Sequence, residues 1–189
     1  MEKNWEVKKS DYVIAQKLAQ DLDVSEIVAH LLVLRGIKKF DEAKLFFRPE
    51  LSHLHDPFLM KNMEIAVKRI ETAISKNQKV LVYGDYDVDG TTSVAMMYSF
   101  LKKYNKNIEY YIPCRHEEGY GISLKGIDYA NENNFLLIIA LDCGIRAVEQ
   151  IDYANKRAID FIICDHHTPS EKIPNAISVL NPKQLDCKY

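Results

Sequence analysis

The four cysteines, Cys114, Cys143, Cys164 and Cys187, stand twenty or more residues apart, with no C-x-x-C pair among them. That spacing leaves no zinc ribbon and no dithiol redox site, so reduced thiols are expected. Long apolar runs are also missing. The stretch from Phe135 to Leu141 falls far short of the roughly 20 residues that cross a bilayer. The opening residues Met1-Glu2-Lys3-Asn4-Trp5 lack the apolar stretch of a secretion signal, which makes a cytoplasmic address the expectation. Neither sign of charge dominates: 25 Lys and Arg stand against 27 Asp and Glu, for a net charge of −2. The broad basic face of duplex-binding proteins is therefore absent, and any nucleic-acid contact must be local. Internal repeats and low-complexity segments are absent too.

What is present is enough apolar side chain, 47% of 189 residues, to bury a real core in one main domain with a smaller appendage. Residues 1–76 read as a helical N-terminal region. Ser25 is placed to cap a helix in which Ile27, Val28, Leu31, Leu32 and Leu34 recur, and Gly36 follows where helices commonly stop. Asn62 opens a second helix with Ile65, Ala66, Arg69, Ile70, Ala73 and Ile74 at three-to-four spacing. Arg48-Pro49 and Asp56-Pro57 break the pattern between them, so short helices joined by turns are expected.

From Lys79 the pattern alternates between strand-like and helix-like segments. Strands are predicted at residues 80–83, 108–112, 135–141, 161–164 and 177–180, with helices at 93–104, 123–133 and 146–157. The near-continuous apolar run of 135–141 has the composition of a central parallel strand covered on both faces. The expected fold is α/β: a mostly parallel, doubly wound sheet of about five strands over residues 77–189.

The polar clusters fall where these strands end. Asp85, Asp87 and Asp89 follow the first strand, Asp142 the third, and Asp165-His166-His167 the fourth. Ligands of open parallel sheets bind at the carboxyl ends of the strands, so three separately weak signals converge on one crevice. Read as an extended segment, alternate residues lie about 6.6 Å apart on one face, presenting the three aspartates together. A divalent cation would offset their repulsion. Carboxylates and imidazoles without thiolate favour Mn²⁺ or Mg²⁺, and the number of carboxylates favours two ions.

Each cluster has a plainer reading. Asp85 to Gly90 matches the start of an EF-hand loop, but position twelve holds Met96 instead of Glu, and a strand precedes it. The loop could equally be a solvated turn, Asp142 a helix cap near Ile145, and the tandem histidines surface residues beside Pro169. Cys143 and Cys164 have no paired base in the spacing and read as core or rim residues.

Val82-Tyr83-Gly84-Asp85-Tyr86-Asp87-Val88-Asp89-Gly90-Thr91-Thr92-Ser93 resembles the first motif of the DHH phosphoesterases in their RecJ-type branch. Asp142-Cys143-Gly144 resembles the second motif and Asp165-His166-His167 the third. The segment from Ile112 to Gly121, Asn181-Pro182-Lys183, Val24 to Gly36 and the Leu54-His55-Asp56-Pro57 turn are similar to that branch as well. The resemblance implies a 5′→3′ exonuclease acting on single-stranded DNA in repair and recombination with Mn²⁺ or Mg²⁺. It implies Asp87, Asp89, Asp142 and His166 as metal ligands, Asp142 bridging two ions, and Asp85 as a ligand or an outer partner. His167 would touch the scissile phosphate, Asp165 would orient the histidines, and Arg115 would hold DNA or phosphate. Single-stranded DNA is thus the expected partner, with no membrane and a monomeric state.

Members of this family complete the site with a further Asp on a later strand and close it with a second domain. The chain stops at Tyr189. It is therefore expected to be a fragment that folds as a core, holds metal incompletely and cleaves slowly or not at all. Two other readings stay open. One is a relative acting on short oligonucleotides, cyclic dinucleotides or pyrophosphate, which Tyr83 argues against, because a His commonly stands four places before Asp87 in those enzymes. The other is an inactive binding module of the same fold.

Overall fold

The computed structural model describes Asn4 and residues 6–189; Met1 to Lys3 and Trp5 lie outside the described residues, and with them part of the expected leader-free N-terminus. The chain divides into two compact units, Met1–Leu54 and His55–Tyr189.

The first unit is helical, as expected. Helix α1 (Tyr12–Leu22) starts where the Asp11 carboxylate accepts from the backbone N–H of Val13 and Ile14, and it ends at Asp23 in a left-handed conformation. Helix α2 (Glu26–Leu34) is capped by Ser25. Helix α3 (Phe40–Phe47) stops just before Arg48-Pro49. Their core is Ala15, Leu18, Ala19, Ala29, Leu32 and Val33. The buried face of α2 is not the predicted stripe, since Ile27, Leu31 and Leu34 remain exposed. A helix apolar on nearly every side has no unique inward face in sequence, and here the face carrying the small Ala29 is the one packed beside Ala15.

The second unit holds helix α4 (Met63–Ser75), strand β1 (Val80–Gly84), helix α5 (Val88–Leu101), β2 (Ile108–Tyr111), α6 (Leu124–Glu132), β3 (Leu137–Leu141), α7 (Val148–Asn155), β4 (Asp160–Cys164) and β5 (Ser178–Leu180). The five strands form one parallel sheet in the order β2-β1-β3-β4-β5. Val80, Val82, Leu137, Ile139 and Ile162 pack on one face with α4 and α5 residues such as Ala66, Ala73 and Val94. Leu81, Tyr83, Ile138, Phe161 and Ile163 pack on the other with Ile127 and Ala130 of α6 and Ile151 and Ala154 of α7. Burial on both faces explains the unbroken apolar runs of β1 and β3.

The sequence places a domain edge at residue 77, whereas this compact unit begins at His55. The difference is α4. It buries Ala66 and Ala73 against the sheet, and Arg69 reaches Asp160 at 2.6 Å and the Gln78 side chain at 2.9 Å. Asn62 stands before α4 at φ 66° without a side-chain cap, and its carbonyl instead accepts from Ser178 at 3.0 Å. No helix among the described residues is long and apolar enough to cross a membrane.

Candidate metal centre

Strand register builds the site. Gly84 pairs with Leu141, Leu141 with Cys164, and Cys164 with Leu180. The residues that follow these partners are Asp85, Asp142, Asp165 and Asn181, so four polar side chains leave four neighbouring strands at one level. All four are buried. The chain winds from β1 outward to β2, then crosses back to β3 on the other side of β1. The loops after β1 and β3 therefore diverge and leave a crevice, as at other switch points of open parallel sheets.

The β1 end departs from the extended reading. Helix α5 begins at Val88, and Asp87 is its N-cap, accepting from Gly90 N at 2.9 Å. Asp89 lies in the first helical turn, and Asp87 and Asp89 are both exposed. Only Asp85 continues the strand. A Cβ added at Gly90 would sit 2.4 Å from the Asp85 carbonyl oxygen, so only glycine lets α5 start this close to β1. Both carboxylate oxygens of Asp85 are buried with no hydrogen-bond partner. Such an unpaired buried acid is costly in the protein alone.

Asp142 follows β3 directly at φ 61°, with its N–H donating to Cys164 O at 2.8 Å. It is not a helix cap, because α7 begins at Val148 with Ala147 before it. Its Oδ1 lies 3.0 Å from His166 Nε2. Burial, and then the charge of Asp87, hold its carboxyl above the usual carboxylate range, with the histidines partly opposing them.

Asp165 is fully partnered. Its Oδ2 accepts from Ile145 N at 2.9 Å. Its Oδ1 accepts from His166 N at 2.7 Å, His167 N at 3.0 Å and His167 Nδ1 at 2.7 Å. Burial alone would raise its pKa, but the donated hydrogen bonds of His167 and Ile145 outweigh burial and hold it below the usual range. Because a carboxylate only accepts, His167 Nδ1 carries the proton in that bond. Asp142, His166 and His167 bring ligand atoms within 4.8 Å of one another, and Asp85, Asp87 and Asp89 are not part of that group.

Sequence reasoning gave no role to Tyr120. Its hydroxyl lies 3.3 Å from His167 Nε2, and burial, then the charge of Asp85, push its pKa to about 12. Tyr86 packs edge-on against Tyr120, and the Arg115 guanidinium sits 5.4 Å from the Tyr86 ring centre. Arg115 thus belongs to the rim of this crevice, two aromatic rings away from His167. Its loop is held by Glu118, which accepts from Cys114 N, Tyr111 OH and Ser123 Oγ. The only advance signal for Tyr120 was its place in the segment ending at Gly121. Cys143 is buried, and burial raises its thiol far above the ordinary value, which suits a core residue and not a nucleophile. All four cysteines are free.

Comparison with known proteins places residues 79–188 in the DHH family, N-terminal domain. The single-stranded-DNA-specific exonuclease RecJ of Bacillus subtilis is 39% identical over 185 residues, which is 98% of this chain and 24% of that protein. A crystal structure of exonuclease RecJ bound to manganese superposes with a TM-score of 0.64 at 28% identity, covering 70% of this chain and 34% of that one. RecJ from Thermus thermophilus, in complex with Mn²⁺, has a TM-score of 0.68 at 23% identity over 97% of this chain and 25% of its own length, a likeness of fold. The chain thus spans about a quarter of the curated relative's length.

Proposed function

Since the chain belongs to the DHH family, we propose that it is the metal-holding part of a RecJ-like 5′→3′ exonuclease that hydrolyses phosphodiester bonds of single-stranded DNA. The observation that carries this reading is the Asp85 carboxylate, buried and unpartnered in the same row as Asp142. An ion fits the residues present: an orphaned acid, a second buried acid at 3.0 Å from an imidazole, and no thiolate among these donors. Oxygen and imidazole donors match Mn²⁺ or Mg²⁺.

Asp85, Asp87, Asp89, Asp142 and His166 would hold the ions. When bound, the ions lower the pKa of a water and offset charge on the phosphate and the departing oxygen. The chain's own contribution is placement. Asp165 fixes the His167 ring through Nδ1 and leaves Nε2 facing the crevice, where it meets the phosphate together with the Tyr120 hydroxyl. Arg115 holds the strand from the rim as a phosphate partner. A cavity of about 350 Å³ beside His167, lined in part by Tyr120, Arg146 and Gln150, gives room for a nucleotide. A role in DNA repair and recombination, a cytoplasmic address and a monomeric state go with this reading.

The test is release of label from a 5′-labelled single strand with Mn²⁺, run with protein in excess so that slow turnover registers. Labelled mononucleotide is the expected product, lost on chelation and in His167→Ala. Shortening from the 3′ end, or equal attack on duplex, contradicts the reading. Bound Mn²⁺ without product here, together with no product from a longer chain that includes the closing domain, would instead identify an inactive binding module.

A further inference from the structure

We infer that Asn181 is a positioning residue for the Asp165-His166-His167 turn, acting through the main chain of His167. The inference deepens the phosphoesterase reading of the site and rests on it. Asn181 is completely buried directly after β5, next to Asp165 in the row of strand ends. Its Nδ2 donates to the His167 carbonyl at 2.9 Å, and its Oδ1 accepts from Lys183 N at 2.8 Å. The Lys183 N–H demands an oxygen on that side, so the amide nitrogen must face His167. The support behind it is closed as well, because Gln184 Nε2 donates to Val179 O at 2.9 Å and to Asn181 O at 3.3 Å.

His167 itself is thereby held from two sides. Asp165 grips it from within, by the N–H groups of His166 and His167 and by the His167 ring. Asn181 grips the opposite side of the same residue, at the carbonyl. Arg146 Nε holds the next carbonyl, Thr168 O, at 2.8 Å, so loss of the Asn181 bond leaves the His167 carbonyl unpaired inside a turn still anchored on both sides, and the turn must shift between those anchors to find that carbonyl another donor. A side chain that never touches metal or phosphate would then decide how well His167 and its neighbour His166 face Asp142.

The test pairs long-range ¹H–¹⁵N NMR of the histidine rings in the metal-free chain with Mn²⁺ titration. The variants are Asn181→Asp, which keeps the shape but sets an oxygen against the His167 carbonyl, and Val179→Ala, a control that loosens the same strand. Asn181→Asp is expected to shift the His167 ring resonances, leave those of His53, His55 and His116 in place, and weaken Mn²⁺ binding about tenfold, the low end for an outer partner. Val179→Ala is expected to move neither. Should Asn181→Asp not fold, Asn181→Ala removes both bonds without repulsion and is judged by the same readouts. Unchanged His167 resonances in a folded variant overturn the inference whether or not Mn²⁺ binds. Failure of the unsubstituted chain to take up Mn²⁺ refutes the phosphoesterase reading, and the resonances still decide the role of Asn181.

Discussion

Two aspartates at the same level of the sheet, one after β1 and one after β4, are both buried, yet their surroundings are opposite. Asp165 accepts four hydrogen bonds from its own chain, whereas Asp85 accepts none. Asp165 is finished by the protein, and its negative charge orients a turn. Asp85 is left unpaired, and in the proposed function a cation completes it. Burial of an acid is therefore no guide to its job; the list of its donors is.

Substitution at the two positions should separate them by sign. Asp165→Asn keeps one acceptor oxygen but turns an amide NH₂, a donor, toward backbone N–H groups, and a loss of about 3 kcal/mol in urea or thermal unfolding is expected. A loss under about 0.5 kcal/mol, the scale of an ordinary surface change, would break the comparison. The same acid also predicts a pH limb. Its native pKa is depressed, so its contribution is present above the unfolded value of roughly 3.9 and disappears as pH falls through the lower native value. Asp165→Asn should show a shallower loss of stability in acid than the unsubstituted chain.

Asp85→Asn is expected to act the other way in the metal-free protein. Removing an unpaired buried charge should leave stability unchanged or raise it by about 1–2 kcal/mol, while Mn²⁺ no longer stabilises the fold. Destabilisation as large as that of Asp165→Asn would mean that Asp85 already has a partner in solution. The smallest effect is expected at Glu118, which holds the loop of Arg115 and Tyr120. Glu118→Gln loses part of a three-donor arrangement and should cost about 1 kcal/mol, read by chemical denaturation. A change of several kcal/mol would show that the loop is part of the core rather than attached to it.

Much of this was legible in the sequence. The strands announced themselves because β1 and β3 are short, mostly aliphatic runs buried along their length, and β4 has the same kind of centre in Phe161, Ile162 and Ile163. The three acidic clusters could be placed together because they follow those runs. The row itself was not legible, since it depends on strand order and register. The start of α5 was missed because Asp89-Gly90-Thr91-Thr92 is poor helix-forming sequence, offset here by the Asp87 cap and the close fit of Gly90 on Asp85. Tyr120 and Asn181 lie in segments that the resemblance covers, but their individual roles were hidden for another reason. Each acts through one hydrogen bond to His167 from a distant segment, and no periodicity records such a bond.

Calorimetric titration of Mn²⁺ into the unsubstituted chain and into Asp142→Asn tests the central claim most directly. The account predicts measurable uptake by the unsubstituted chain, with a rise in Tm, and a loss in Asp142→Asn beyond the roughly 10–100-fold typical of an outer partner. Equal uptake by both proteins, or none by either at millimolar Mn²⁺, would contradict a metal centre built on the strand-end carboxylates.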